Sequence, residues 1–296
     1  MSRIVEPLAP GLSRVWELSE ILVDTRTRYQ HVVIARTAQG VTLFCDDDRQ
    51  STEAGQLVYH EALLVPALLL ARRLDRVLVI GSSEGVVSQL ALAAGARHVD
   101  HVDIDRQAVE LCARHLPYGY SPADLAGDGP VRLHYADGWD FVTRTRDRYD
   151  IVVIDVPDEH PGPAQHNRLY GTEFLRRCRS VLTDGGVVAA QAGCPALWRD
   201  HTLIRSWRRF HQVFDTVTYF GSDEHEWAFL FGLADRLDRS IDHMLERLAT
   251  LPYRPASIDA DTVRGRTIAP HSVRTAMLNP ARIPAGSQDR RPGRAG

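Results

Sequence analysis

The 296-residue chain is 44% hydrophobic and 25% charged, with a formal net charge of −3. That is enough chain for one large domain or a main domain with a smaller companion, and enough apolar content for an ordinary soluble core. The charge excludes the basic excess of a general nucleic-acid binder, and no apolar run approaches the roughly 18 residues of a membrane span.

The opening residues, Met1-Ser-Arg-Ile-Val-Glu-Pro, lack the apolar stretch of a secretory leader, so a cytoplasmic protein is expected. Residues 11–50 alternate loosely as β structure through Val15-Trp-Glu-Leu, Arg28 to Arg36 and Gly40 to Cys45, with Thr37-Ala-Gln-Gly40 as a hairpin turn. A small antiparallel N-terminal sheet over 1–50 is therefore expected ahead of a main domain over 51–277. Val58 to Leu74 reads as a helix with an apolar face of Leu63, Leu64, Ala67, Leu68 and Leu70. Strands then alternate with helices: strands at 76–80, 98–103, 131–135, 149–154, 185–190, 213–219 and 227–232, helices at 85–95, 105–115, 138–145, 171–182 and 199–211. This order predicts an α/β fold with a parallel-rich sheet covered on both faces. The last two strands are close enough to form an antiparallel pair at one edge, and 236–250 reads as an amphipathic helix. Residues 278–296 are rich in Pro, Gly and Arg and predict a disordered tail.

Cys45, Cys112, Cys178 and Cys194 form no C-x-x-C pair and are expected to be reduced and mostly packed. The histidines show no H-x-x-x-H spacing, so no metal is expected, and His225 reads as a surface loop residue. Lysine is absent, which removes a Walker lysine, a pyridoxal Schiff base and a catalytic lysine. Trp198, Trp207 and Phe210 fall at helical spacing and predict core, while Arg205, Arg208 and Arg209 read as a solvated helix face.

The chemistry is expected at strand ends. Val77-Leu-Val-Ile runs into Gly81-Ser-Ser-Glu84-Gly85 and then a helix, the opening unit of a nucleotide-binding fold. The turn departs from G-x-G-x-x-G, which disfavours a nicotinamide enzyme. Asp103 ends the next strand, where a carboxylate suits a bidentate grip on ribose hydroxyls, and Asp137 follows a third strand within reach of an adenine amino group. Together they point to an S-adenosyl binding domain, although each aspartate taken singly is equally a helix cap or turn residue. Asp155 closes a fully apolar strand and opens an acidic patch, Asp155-Val-Pro-Asp158-Glu159-His160, stiffened by Pro157, Pro161 and Pro163. Carboxylates there would attract an ammonium group and take its proton.

With those residues in view, the sequence resembles the spermidine synthase (polyamine aminopropyltransferase) family from about Pro10 to Ala276. Gln50-Ser-Thr-Glu53 followed by Val58-Tyr-His-Glu61 is similar to the family's Q-S-T-E-x-D-E-x-x-Y-H-E, and Arg28-Tyr-Gln30 to its R-Y-Q. Val102-Asp-Ile-Asp105 resembles E-I-D, and Ala136-Asp-Gly138 resembles G-D-G or G-D-A. Asp155-Val-Pro-Asp158, with Gly162-Pro-Ala164 and Leu169-Tyr170, is similar to D-S-S-D-P-x-G-P-A…L-Y, while Gln191-Ala-Gly193 and Trp227-Ala-Phe229 also fit.

The resemblance implies a Rossmann-like S-adenosylmethionine-binding domain behind the small N-terminal β-sheet. It implies decarboxylated S-adenosylmethionine as aminopropyl donor, a small-molecule di- or polyamine such as putrescine as acceptor, no metal, and a homodimer or homotetramer. By position Gln30, His60, Gly81, Asp103, Asp137 and Gly138 would hold the adenosyl part, with Glu84 near the donor's amino group. Tyr59, Asp155, Asp158 and Tyr219 would orient the acceptor, Asp155 taking the proton. Three stretches depart from the pattern: Gly81-Ser-Ser-Glu-Gly85 replaces G-G-G-D-G, the Asp155 loop has lost its serines and gained a residue before Gly162, and Asp46-Asp-Asp-Arg49 replaces D-G-x-x. All lie where the donor's arm and the acceptor would sit. The alternatives are an N-methyltransferase or 3-amino-3-carboxypropyl transferase using intact S-adenosylmethionine, and a non-catalytic adenosyl-binding protein. Glu84 counts against the intact donor, whose carboxylate it would repel.

Overall fold

The computed structural model describes residues 2–127, 129–159, 162, 164–196, 198–222 and 226–278. The antiparallel start of the chain forms two sheets rather than the single one expected. Strands β1 (Ser2–Ala9) and β2 (Leu12–Leu18) make a two-stranded hairpin, and β3 (Glu20–Arg26), β4 (His31–Thr37), β5 (Gly40–Cys45) and β6 (Asp48–Thr52) a four-stranded meander. The expected hairpin at Thr37–Gly40 is present, since those two residues pair directly across it. Ile4, Trp16, Leu18, Val33, Ala35 and Phe44 form the core between the two sheets.

Helix α1 (Gln56–Leu70) follows, ending earlier than the sequence suggests and buried on every side from His60 to Leu70 rather than along one face. A helix that is apolar all round belongs inside a protein. Here α1 packs on the main sheet and is itself covered by later helices.

The rest alternates as expected: β7 (Arg76–Gly81), α2 (Val86–Ala93), β8 (His98–Asp103), α3 (Arg106–His115), α4 (Pro122–Ala126), β9 (Val131–Tyr135), α5 (Gly138–Arg144) and β10 (Tyr149–Asp155). A 3₁₀ turn over Gln165–Tyr170 leads to α6 (Thr172–Ser180), β11 (Leu182–Gly193), α7 (His201–His211), β12 (Thr216–Ser222) and β13 (Trp227–Leu233). The seven strands lie in the order β12-β13-β11-β10-β7-β8-β9. Strands β11, β10, β7, β8 and β9 are mutually parallel, and β13 runs antiparallel to both β11 and β12. The central strands read as unbroken apolar runs because both faces are covered. Val77, Val79, Ile151 and Val153 face the core under α1 and α2, while Leu78, Ile80, Val152 and Ile154 face the one under α6 and α7.

Three C-terminal helices complete the two cores: α8 (Ser240–Leu248), α9 (Ala260–Arg266) and α10 (His271–Leu278). Met244 and Val263 fill the α1 side, Val273 the α7 side. Of these only α8 is foreseen from the sequence; the expected disordered tail lies, from residue 279, outside the described residues. Among the described residues no helix is long and apolar enough to cross a membrane. All four cysteines are free, three of them buried and Cys45 half-buried.

Candidate active site

Strand register assembles the site. Asp155 of β10 pairs with Gly81 of β7, and Asp103 of β8 with Tyr135 of β9. The carboxyl ends of four neighbouring parallel strands therefore lie level at one edge of the sheet, where open α/β sheets hold their ligands.

The Gly81 turn is held by more than its glycines. Gly81 has φ +80°, and a Cβ on it would stand 2.0 Å from the Asp155 carbonyl oxygen, which accepts the Ser82 N–H at 2.9 Å. Gly85, also at φ +80°, lies against the Tyr120 ring, 2.2 Å from where its Cβ would be. The Tyr120 hydroxyl donates to Nδ1 of His101 at 2.8 Å, and His101 Nε2–H donates to the Gly81 carbonyl at 2.7 Å. Burial pushes the His101 pKa down to about 4, so this tautomer stays neutral. Sequence reading passed over His101 and Tyr120, although a histidine in the middle of a buried strand is itself a signal of a built hydrogen bond. Gly81→Ala combines left-handed strain of about 1–2 kcal/mol with overpacking of about 1–3 kcal/mol. The variant is expected to lose about 3 kcal/mol in urea unfolding; a wild-type midpoint would show that the turn yields freely.

Helix α1 brings two side chains to this edge from the N-terminal side. The Tyr59 hydroxyl donates to Asp155 Oδ1 at 2.6 Å, and its ring packs edge-on against Trp227, Phe229 and His60. Nδ1 of His60 lies 2.6 Å from the Gln56 carbonyl, and Nε2 lies 3.3 Å from Glu84 Oε1, an ion pair whose alignment falls short of a hydrogen bond. Each ring nitrogen thus faces an oxygen, a setting that favours the imidazolium. Burial opposes that charge, but Glu84 outweighs burial and the His60 pKa rises; for Glu84 burial is likewise outweighed by His60, and its pKa falls. Burial raises the Asp155 pKa, with Glu84 adding to the shift while His60 and Tyr59 pull it back. Tyr59, desolvated beside Asp155, is pushed well above the ordinary phenol range and remains a donor.

Asp103, 6% exposed, accepts the Ser83 hydroxyl at 2.6 Å and the Asp105 N–H at 2.8 Å, and burial raises its pKa to about 6. Gln30 turns its carboxamide to Asp105, 3.1 Å away, where Asp105 also caps α3. Gly138 opens α5 with its α-carbon pressed on Ile80, whose Cγ2 would lie 2.6 Å from a Cβ.

Tyr59, His60, Gly81, Glu84, Asp103 and Asp155 are thus brought to one place. Three further expected site residues already hold partners within the protein. Asp137 caps α5 through the Trp139 N–H at 2.9 Å, and its other oxygen accepts from Gln165 and Arg168. Asp158 accepts from the Gln191 amide and from Arg199, the latter at 2.7 Å. Tyr219 lies on the opposite face of the sheet from Tyr59, stacked on Trp207 at 5.3 Å in the core under α7, because strand alternation in β12 turns it away from its neighbour Phe220.

Two further readings are corrected here. Arg205 and Arg209 do not form a solvated face: both bind Glu159, at 3.2 Å and 3.0 Å, while Arg208 donates to the Ala276 carbonyl. Trp198 is exposed rather than core, although Phe210 is buried and Trp207 half-buried. His160, Pro161, Pro163 and His225 lie outside the described residues.

The glycine turn on β7, flanked by Asp103 ending β8 and the Tyr59-anchored Asp155 ending β10, forms the edge at which an open α/β sheet holds a ligand. The family model for the spermine/spermidine synthase domain matches residues 56–222. Polyamine aminopropyltransferase 2 of Pseudomonas aeruginosa is 32% identical, over 94% of this chain and 82% of its own. Polyamine aminopropyltransferase 2 of Caldanaerobacter subterraneus is also 32% identical, over 82% of each chain. The chain belongs to the spermine/spermidine synthase family. A crystal structure of spermidine synthase in complex with the transition-state analogue AdoDATO shares the fold with a TM-score of 0.83 at 18% identity, covering 94% of this chain and 95% of that one. Spermidine synthase from Thermotoga maritima gives 0.81 at 17% identity, covering 94% of each chain.

Proposed function

We propose that the protein transfers an aminopropyl group from decarboxylated S-adenosylmethionine to a primary amine, and that Asp155 is the base. The observation that carries this reading is the Tyr59–Asp155 hydrogen bond at the sheet edge, level with the Gly81 turn and in the field of His60 and Glu84. The amine's lone pair attacks the methylene carbon next to the sulfonium, and the carbon–sulfur bond breaks with its electron pair passing to sulfur. Methylthioadenosine leaves as a neutral thioether and needs no acid. The nitrogen sheds its proton to Asp155. An alkylamine has a pKa near that of lysine, about 10, so a desolvated carboxylate beside it shifts the proton toward the protein and frees the lone pair. Tyr59 holds that carboxylate in place; the remaining work is alignment.

Asp103 suits the ribose hydroxyls, because the Ser83 hydroxyl already shows the geometry they would offer. Gln30, His60 and Gly81, with Asp137 and Gly138 at the adenine end, complete the donor side of this reading. Glu84 is held ionised beside His60, which favours a donor that has lost its carboxylate over the intact one. Asp158 and Tyr59 stand on the acceptor side. Reaction with a panel of amines, followed by methylthioadenosine release with decarboxylated and with intact donor, tests the proposal; release from the intact donor alone would replace it. Donor affinity is expected to weaken as the pH drops through about 6, where Asp103 takes up a proton and stops accepting hydroxyl hydrogens, and to level out above it. Titration calorimetry across that range, with Asp103→Asn expected to flatten the dependence, measures this. A cytoplasmic setting fits four unpaired cysteines. The homodimer or homotetramer belongs to the same reading and is tested by sedimentation of the full chain.

A further inference from the structure

The turn after β7 carries two serines, Ser82 and Ser83, where the family pattern has glycines, and each lies beside a strand-end carboxylate. Ser83 donates to Asp103 Oδ2 at 2.6 Å. Ser82 lies against Asp155: its N–H donates to the Asp155 carbonyl oxygen at 2.9 Å, and its hydroxyl is near enough to the carboxylate to draw the Asp155 pKa down. Ser82 keeps this place with φ +62°, a left-handed conformation that glycine takes freely and a residue with a side chain does not. The residue is 7% exposed, and its buried Oγ has no hydrogen-bond partner among the described residues. A glycine here would remove both the strain and the unsatisfied hydroxyl. Strain held at such a position points to a use for the side chain. Tyr59 takes Oδ1 of Asp155 at 2.6 Å, which leaves Oδ2 for a second donor. The loop after Asp155 offers no hydroxyl of its own, because Val156 and Pro157 stand where the pattern has serines.

We propose that Ser82 is a positioning residue for the transfer: its hydroxyl, together with that of Tyr59, clamps the Asp155 carboxylate in the orientation that receives the amine's proton. Ser82 touches neither donor nor acceptor and acts only through Asp155. The inference rests on the transfer reading above and deepens it. Contacts of this kind tighten when the reacting group arrives. A hydroxyl donating to Asp155 favours the carboxylate over the acid, so it keeps the base ionised to lower pH. The other groups facing Asp155 are Tyr59 and His60 from α1, Glu84 from the turn and Tyr170 from the end of the 3₁₀ turn. Burial raises the Asp155 pKa against the pull of His60, Glu84 adds to the rise, and the Tyr59 and Ser82 hydroxyls lower it. Tyr170, pushed well above the phenol range by burial, stays neutral and donates to the Pro157 carbonyl at 2.7 Å.

Ser82→Gly removes the hydroxyl and the strain together, so the full-length variant is expected to melt at or above the wild-type temperature; Ser82→Ala removes the hydroxyl alone. In both, the Asp155 pKa, followed through its carboxyl resonance in isotope-labelled protein and assigned by the loss of that resonance in Asp155→Asn, should rise by about one pH unit, the worth of one hydrogen bond. Methylthioadenosine release from decarboxylated donor with putrescine should fall about tenfold at neutral pH, and the acid limb of the profile should move to higher pH by the same amount as the Asp155 titration. Methylthioadenosine affinity should not change. In the Asp155→Asn background, Ser82→Gly should add no further loss. A wild-type Asp155 pKa in either folded variant, or full turnover in Ser82→Gly, overturns the inference. If Ser82→Ala does not fold, Ser82→Gly decides alone. A wild type that releases no methylthioadenosine with any amine would remove the transfer activity, and the Asp155 titration would then still decide the clamp.

Discussion

Asp155→Asn is expected to lower turnover about 10²- to 10⁴-fold at neutral pH, the usual worth of a positioned general base, and to leave donor binding unchanged. The asparagine oxygen still accepts from Tyr59, so the 2.6 Å contact that fixes the side chain survives while the capacity to take a proton is lost. The pH profile carries the sign. In the wild type the raised Asp155 pKa means that the carboxylate is lost, and activity falls, as the pH drops through a value above the ordinary aspartate range. Tyr59 stays protonated throughout, because burial and the neighbouring Asp155 push its pKa upward as well. In the variant the rate should instead climb toward high pH, as more of the amine, with a pKa of about 10, arrives unprotonated. Equal turnover in wild type and variant at neutral pH would remove Asp155 from the mechanism.

Glu61 carries the second large effect, and it is structural. Its side chain is fully buried and accepts four hydrogen bonds, from the Tyr253 hydroxyl at 2.6 Å, the Ala256 N–H at 2.8 Å, the Ser257 N–H at 2.7 Å and the Ser257 hydroxyl. One carboxylate thereby ties the segment leading into α9 to the helix that carries Tyr59 and His60. Glu61→Ala strands four donors, and a hydrogen bond to a charged group is worth about 1.5–3 kcal/mol. After relaxation of the freed segment, a net loss of about 3 kcal/mol or more is expected. Thermal unfolding measures the loss, and hydrogen exchange should show residues 253–266 opening first. Wild-type stability in Glu61→Ala would mean that the segment is held by its apolar contacts alone. The resemblance noted in the sequence includes Glu61 beside Tyr59 and His60, yet Glu61 points away from the site: the helix that delivers the chemistry also anchors the C-terminal cover.

Much of the architecture was legible because it follows from local pattern. The runs at Val77–Ile80 and Ile151–Ile154 are continuous and β-branched, as strands covered on both faces must be. The turn glycines stand where positive φ is needed. Where the structure departs, the local signal was weak or was overridden. Strand β1 buries Ile4 and Glu6, one apolar and one charged, so its sequence shows no alternation, and Pro7 stands at a bulge in the pairing with β2. Helices α9 and α10 each bury a single valine, Val263 and Val273, too little for periodicity to show. Helix α4 had a readable sign, the capping box of Ser121 and Asp124 with Pro122 at its first turn.

For the site, sequence alone determined which carboxylates end strands, because a polar residue closing an apolar run has only the sheet's edge to occupy. It also determined the family, through motifs in fixed order. Which of those groups meet was decided by the tertiary structure. Alternation along β12 turned Tyr219 to the far face, and Arg199 and Arg168 arrived from distant segments to claim Asp158 and Asp137. Arg49 and Trp227, 178 positions apart, were placed ring to charge only by packing of the N-terminal sheet against the main one. Charge pairing between remote residues depends on where chains cross in space, and no spacing along one chain encodes it.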